Sequence, residues 1–136
     1  MVATRAIVVT RRIVIAVSWR KFLLWFRRER TMIIEMRTYK LKPGKRAAFL
    51  KVFETRSVPA HREIGMTIAG PFLSVEDPDT FFFMRGFPDV ASREPLKAKF
   101  YESALWKNEL ESVLMPMIDE YTVVVVEGPD ALFHVQ

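Results

Sequence analysis

The chain has 136 residues, half of them hydrophobic, with no cysteine and a formal net charge of +5. That length predicts one domain with a sizeable core, and that hydrophobic share excludes dominant disorder. The lack of cysteine excludes a disulfide scaffold, thiolate zinc sites and a cysteine nucleophile, and it fits a reducing, cytoplasmic setting.

The charge is unevenly placed. Residues 1–31 carry eight basic side chains against one acid, Glu29, a net +7, and the remaining 13 basic and 15 acidic side chains give −2. The region after residue 31 therefore has no basic stripe for a phosphate backbone, and no nucleic-acid partner is expected. Within the first segment the apolar clusters at residues 6–9, 13–17 and 22–26 are interrupted by Arg and Lys. The longest uncharged stretch, residues 13–19, is far short of the ~20 residues that span a bilayer. Arg11–Arg12 and Arg20–Lys21 also break the single apolar run that a secretory signal needs. Three readings stand: an upstream stretch translated from a wrongly chosen start with Met32 as the natural first residue, an Arg-rich organelle transit sequence, or a basic amphipathic segment on anionic membrane. Membrane contact is expected only if this segment is a genuine part of the protein. The domain is read over residues 32–127 and residues 128–136 as a tail.

Residues 33–40 (IIEMRTYK) alternate and end at Lys42–Pro43–Gly44, which predicts a first strand and a turn. From Lys45 the period becomes helical, with Phe49, Val52, Phe53 and Arg56 on one face and Lys45, Arg46, Lys51 and Glu54 on the other. Pro59 is expected to kink or divide this helix, Ser57 to cap a short second turn, and Gly65 to end it. Residues 66–74 form a second strand with Gly70–Pro71 at a bulge or edge, and residues 76–79 (EDPD) a hairpin turn. Residues 80–87 (TFFFMRGF) form the third strand. A helix follows, with Ser92 as its expected cap so that Pro95 falls in the first turn. Further helix runs through Trp106, Leu110, Val113 and Leu114 to Pro116, and residues 121–127 (YTVVVVE) form the fourth strand.

The order βαββαβ with right-handed crossovers predicts an α+β, ferredoxin-like fold with a four-stranded antiparallel sheet and both helices on one face. Residues 81–84 and 123–126 are apolar on both faces, whereas a sheet with one wet face alternates. Helices cover only one of those faces. The other would leave an apolar patch above the ~300–600 Å² that a monomer tolerates, so the chain is expected to pair with itself as a homodimer.

Glu35, Arg37 and Tyr39 followed by Lys42–Pro43–Gly44–Lys45 resemble the opening E-x-R-x-Y-x-x-x-P-G-K of the NIPSNAP family. Arg85–Gly86–Phe87–Pro88, Arg93–Glu94, Phe100–Tyr101 and Trp106–Lys107 resemble the R-G-F-P…R-E…F-Y…W run of its bacterial members. Pro95 departs from the helix-forming residues of that pattern, and residues 1–31 match nothing in it. The resemblance implies a dimeric α+β barrel related to small cofactor-free monooxygenases, with no settled activity.

Glu35, Arg37 and Tyr39 alternate and so share one face of the first strand. They read either as the polar wall of a pocket, with Arg37 holding an anion or carbonyl and Tyr39 donating to it, or as a cross-strand ion pair. Arg85, among Phe81, Phe83 and Phe87, is an anion clamp or a paired structural charge. Arg93 is expected to anchor an acid from another element. Tyr101 and Trp106 belong to core or to a pocket rim. His61 could serve as a base, or be a capping or surface residue. No histidine pair at ligand spacing, phosphate loop or nucleophile elbow occurs, so neither metal nor cofactor is expected.

Three functions fit these residues. The first is a barrel binding a small, partly apolar carbonyl or carboxylate compound between sheet and helices. The second is a cofactor-independent monooxygenase or isomerase that uses Tyr39, His61 or Arg85 to stabilise an enolate. The third is a protein–protein module without chemistry. If Met32 is the natural start, residues 32–136 alone should keep the melting temperature of the whole chain while shedding its +7 segment. A large drop in melting temperature, measured by calorimetry, would show that residues 1–31 pack on the domain.

Overall fold

Strand β1 (Thr31–Leu41) places Ile34, a fully buried residue, on one face and Glu35, Arg37 and Tyr39 on the other. It is the centre of the sheet. In the computed structural model, which describes residues 30–134, β1 pairs antiparallel with β3 (Thr80–Phe87) on one side and β4 (Ile118–Pro129) on the other. Strand β2 (Thr67–Leu73) pairs with β3, which gives the order β2-β3-β1-β4. This is the expected α+β, ferredoxin-like arrangement. The readings of the basic segment before residue 30 lie outside the described residues. Among the described residues no helix is long and apolar enough to cross a membrane.

Turn chemistry sets where the strands end. Gly44 adopts φ +75°, and its N–H donates to Asp79 Oδ1 at 2.9 Å, tying the β1 turn to the β2–β3 hairpin. In that hairpin Asp77 accepts from Asp79 N at 2.9 Å and Thr80 Oγ1 at 2.8 Å. Arg46 Nη1 donates to the Ser74, Asp77 and Thr80 carbonyls. The register of β2 on β3 shifts between Ala69 and Phe72, where the Gly70–Pro71 peptide is cis.

Helix α1, residues 46–64, runs as α-helix over Arg46–Val52, π-helix over Phe53–Ser57 and α-helix again over Val58–Ile64. It is not divided at Pro59. The wider π-turn ends just before the proline, which then sits in the first turn of the next α segment, where its missing N–H costs little. Ser57 makes no cap hydrogen bond. The π-turn also rotates Arg56 outward, and there it pairs with Glu109 instead of joining the buried face. Gly65, at φ +111°, ends α1 as expected.

Helix α2 (Val90–Tyr101) is capped by Asp89, not Ser92. Asp89 Oδ1 accepts from Ser92 N at 2.8 Å, and Ser92 Oγ accepts from Asp89 N at 3.3 Å, a reciprocal capping box. Pro95 therefore lies deeper in the helix than the first-turn position expected for it. Helix α3 opens with a π-turn at Trp106–Leu110, continues as Glu111–Leu114 and closes in a 3₁₀ turn at Met115–Met117.

The core lies between the helices and one face of the sheet. Phe81, Phe87 and Leu110 are fully buried there, and Phe49, Phe53, Phe83, Phe100 and Leu114 nearly so. Each such side chain contributes roughly 1.5–3 kcal/mol relative to exposure. The opposite face carries Met36, Phe82, Met84, Val124 and Val126 by register.

Residues 128–134, read above as a tail, are ordered structure. Strand β4 continues to Pro129 and turns into a 3₁₀ helix, Asp130–Phe133, whose Phe133 ring lies over Gly86 on that opposite face. A Cβ on Gly86 would collide with Thr67 Oγ1 and come within 2.7 Å of the Phe133 ring. Gly86→Ala should therefore lower the unfolding free energy by about 1–3 kcal/mol. Urea denaturation at unchanged m-value is the check, and an unaltered midpoint would contradict the packing of Phe133 on β3.

Candidate functional site

One carboxylate organises the polar end of this core. Glu35 is wholly buried, and its partner across the β1–β3 ladder is Arg85. Arg85 gives Nε and Nη2 to Glu35 Oε2 at 3.0 and 2.7 Å, and Arg37 Nη1 reaches the same oxygen at 2.6 Å. The capping box starts α2 so that Arg93 and Lys97, four apart, share the face directed at Glu35. Arg93 lies 2.8 Å and Lys97 3.4 Å from Glu35 Oε1. Burial alone would raise the Glu35 pKa, and that is the largest single influence. The charges and hydrogen bonds of Arg85 and then Arg37 together outweigh it and hold the group at about 2.

Above this cluster a cavity of about 440 Å³ opens between the sheet, helices α1 and α3, and the C-terminal end of α2. Its walls are largely aromatic: Phe49, Phe53, Phe83, Phe100 and Trp106. Arg37, Tyr39, His61, Arg85 and Tyr101 gather at its polar end, with Lys107, Glu111 and Tyr121 also on the wall. The register of β1 and β3 explains half of this gathering. Arg37 is opposite Phe83, and Tyr39 is opposite Phe81, so alternate residues of both strands face the cavity.

The π-turn of α1 explains the rest. An ideal α-helix advances about 100° per residue, so residues four apart drift by about 40° per step and Phe49 and His61 would diverge by about 120°. The π-turn underwinds the middle of the helix and cancels much of that drift. Phe49, Phe53, Ser57 and His61 consequently all line the cavity.

His61 is neither capping nor on the surface; it is 4 % exposed and stacks on Phe100 with ring centroids 3.8 Å apart. Its Nδ1 lies 2.7 Å from the Ser57 carbonyl and its Nε2 3.2 Å from Arg85 Nη1. A carbonyl only accepts and a guanidinium only donates, so the ring is neutral, with the proton on Nδ1 and the Nε2 lone pair facing Arg85. Burial is the main reason that its pKa falls to about 4; the Ser57 carbonyl works against the fall and the charge of Arg85 reinforces it.

The two candidate arginines differ in what they have left to give. Arg85, 1 % exposed, spends four of its five N–H groups on Glu35, His61 and the Tyr101 hydroxyl. It borders the cavity as a paired structural charge. Arg37 donates to Glu35 and to the Tyr39 hydroxyl at 3.0 Å, and its buried Nε meets no acceptor among the described residues. Glu35, read as part of a pocket wall, stands behind Arg37 and Arg85 instead and does not line the cavity. Tyr39, Tyr101 and Trp106 do line it. The signal for His61 that the helical reading passed over is its strict spacing of four from Phe49, Phe53 and Ser57.

Two groups here titrate on unfolding, and both signs favour neutral pH. His61 is held below its ordinary 6.5, so its contribution is complete above that value and is lost as pH falls toward about 4. Glu35 is held below 4.5, so its contribution is complete above that value and is lost as pH falls toward about 2. Unfolding free energy should decline from about pH 6.5, by on the order of 3 kcal/mol from His61, and decline further below about pH 4.5. His61→Gln, which retains an acceptor for Arg85, should flatten the upper part of that profile in urea titrations. A slope between pH 6.5 and 4.5 that persists in the variant would remove His61 as its source.

The NIPSNAP family model matches residues 34–123. A NIPSNAP family protein of unknown function from Agrobacterium tumefaciens aligns at 23 % identity and TM-score 0.64, over 72 % of this chain and 88 % of that one. An uncharacterized NIPSNAP-like domain protein from Burkholderia xenovorans aligns at 21 % and 0.63, over 70 % and 83 %. An antibiotic biosynthesis monooxygenase aligns at 19 % and 0.56, over 71 % and 98 %. At such identities the solved structures share a fold with this chain and no more. No curated protein matches it.

Proposed function

The chain belongs to the NIPSNAP family, and from that premise we propose that it works as a homodimeric barrel binding a small, partly apolar carbonyl or carboxylate compound in the cavity between sheet and helices. The observation that carries this reading is the Arg37 side chain. It is 6 % exposed, lines an aromatic cavity of about 440 Å³, and holds N–H groups that the protein does not use. A desolvated guanidinium with spare donors is costly unless an acceptor meets it, and an acidic or carbonyl ligand supplies one. Cavities of this size and mixed lining are typical of small-molecule sites.

Self-association is supported by the part of the opposite sheet face that the 3₁₀ helix Asp130–Phe133 leaves uncovered. There Val124 and Phe72 are about half exposed beside Met36, Phe82 and Val126. A two-fold partner presenting the same face would remove this strip from water. The enzyme reading has less support, because the only histidine on the cavity wall already turns its lone pair to Arg85.

Native mass spectrometry of protein taken from cells should report a dimer carrying a retained small molecule. Val124→Asp combined with Val126→Asp should give monomers or insoluble protein. A wild-type monomer in sedimentation at micromolar concentration would refute the dimer. A cavity that takes up no organic acid or carbonyl compound would refute the ligand class.

A further inference from the structure

Resting on the ligand-binding reading above, the structure assigns the cavity a narrower ligand class: we infer that it takes a flat, apolar molecule bearing a two-oxygen anion, a carboxylate or a comparable delocalised oxyanion. The inference comes from counting which hydrogen-bonding groups at the polar end are already spent.

Tyr39 Oη accepts from Arg37 Nη2 at 3.0 Å, and Tyr101 Oη accepts from Arg85 Nη1 at 3.1 Å. A phenol has one O–H, and in both residues the oxygen is the accepting partner, so each proton is free to donate elsewhere. Neither hydroxyl donates to another group among the described residues. Burial, chiefly, raises the Tyr39 pKa above its ordinary 10, so the residue keeps that proton throughout the neutral range. Arg37 lines the cavity and keeps a second N–H on each terminal nitrogen beyond those given to Glu35 and Tyr39, which supplies a third donor. His61 offers nothing, because both its nitrogens are engaged. The Glu35 carboxylate is saturated by Arg37, Arg85, Arg93 and Lys97 and stands behind the wall.

The groups around Arg37, Tyr39 and Tyr101 therefore offer chiefly donors, and the one carboxylate on the cavity wall, Glu111, is accompanied there by Lys107. A ligand head carrying N–H groups would set them against these donors. A ligand with accepting oxygens alone would satisfy the wall. Charge points the same way, since Arg37, Arg85 and Lys107 line the cavity against one lining carboxylate, Glu111, and the Glu35 carboxylate lies behind the two arginines. One oxygen cannot take three separated donors at good geometry, which is why two oxygens on one rigid head suit the site better than one. The aromatic walls accept a planar body edge-on or face-on.

The probes are 2-naphthoate, 2-naphthylmethanol and 2-naphthylmethylamine, titrated calorimetrically into the full-length protein at pH 7.5. Naphthoate should bind at least tenfold tighter than the alcohol, and the amine should not bind. Tyr39→Phe and Arg37→Lys should each cut naphthoate affinity by about tenfold while leaving the alcohol nearly unchanged, because a hydrogen bond to an ion is worth more than one to a neutral group. Tyr101→Phe should act in the same direction. The ratio between the two probes isolates the donors from any general loss of fold, and melting curves of the variants accompany it. Equal binding of acid and alcohol would overturn the donor clamp and leave an apolar pocket. Naphthoate affinity that survives Tyr39→Phe and Arg37→Lys would place the anion elsewhere, on the basic residues 1–31 for example, and overturn it too. Failure of all three probes would count against the binding reading itself.

Discussion

The buried carboxylate of Glu35 is the constraint on which the rest of the site depends. An isolated ion in such a place is prohibitive, and here it is offset by four cations drawn from β1, β3 and α2. Position as well as charge follows from this. Arg85 is held flat against Glu35, which aims its remaining nitrogen at His61 and Tyr101. Arg37 is pulled toward the same oxygen by one arm only, which leaves the other side of its guanidinium in the cavity. A buried ion network is weak evidence for stability, because apolar side chains of equal volume often do as well. Its presence among so many phenylalanines is better explained by what it orients.

The helices contribute through irregularity. Two of the three helical segments that line the cavity contain a π-turn, at Phe53–Ser57 and at Trp106–Leu110, and the Arg56–Glu109 ion pair links the two turns at the surface. A π-turn gives up regular hydrogen bonding and packs less well along the helix axis, so it persists where something else compensates. In α1 the compensation is visible: two phenylalanines, a serine carbonyl partner and a histidine are brought into one column. The column in turn fixes the His61 ring, clamped between the Ser57 carbonyl, the Phe100 ring and Arg85.

Much of the fold was legible because strand and turn signals are local. The alternation of residues 33–40, the Lys42–Pro43–Gly44 turn and the Asp-rich hairpin each specify their own geometry, and βαββαβ order leaves few topologies. The polar face of β1 was legible for the same reason, since a period of two fixes sidedness. Sequence could not separate wall from backing. Glu35 and Arg37 occupy equivalent faces, and only the approach of α2 from 58 residues away, with Arg93 and Lys97, decides that Glu35 is sealed. Helix capping failed at Ser92 because Asp89 and Ser92 are both good caps and form a reciprocal pair. His61 was misplaced because a 3.6-residue period was assumed through a π-turn. The order beyond residue 127 was missed because it comes from tertiary packing, Phe133 against Gly86, and not from any local pattern.

The same donor-rich wall constrains what chemistry the cavity could host. Stabilising a negative charge and creating one are different tasks: the first needs donors, the second a base with a free lone pair. Tyr39, Tyr101 and Arg37 meet the first need. For the second, His61 Nε2 becomes available only if Arg85 turns away from it. That turn would also strip Tyr101 of its donor and disturb the two contacts by which Arg85 neutralises Glu35. Every such contact is buried, so releasing them costs several kcal/mol before any proton moves. The arrangement therefore suits an anion that arrives already ionised better than one that the protein would have to deprotonate.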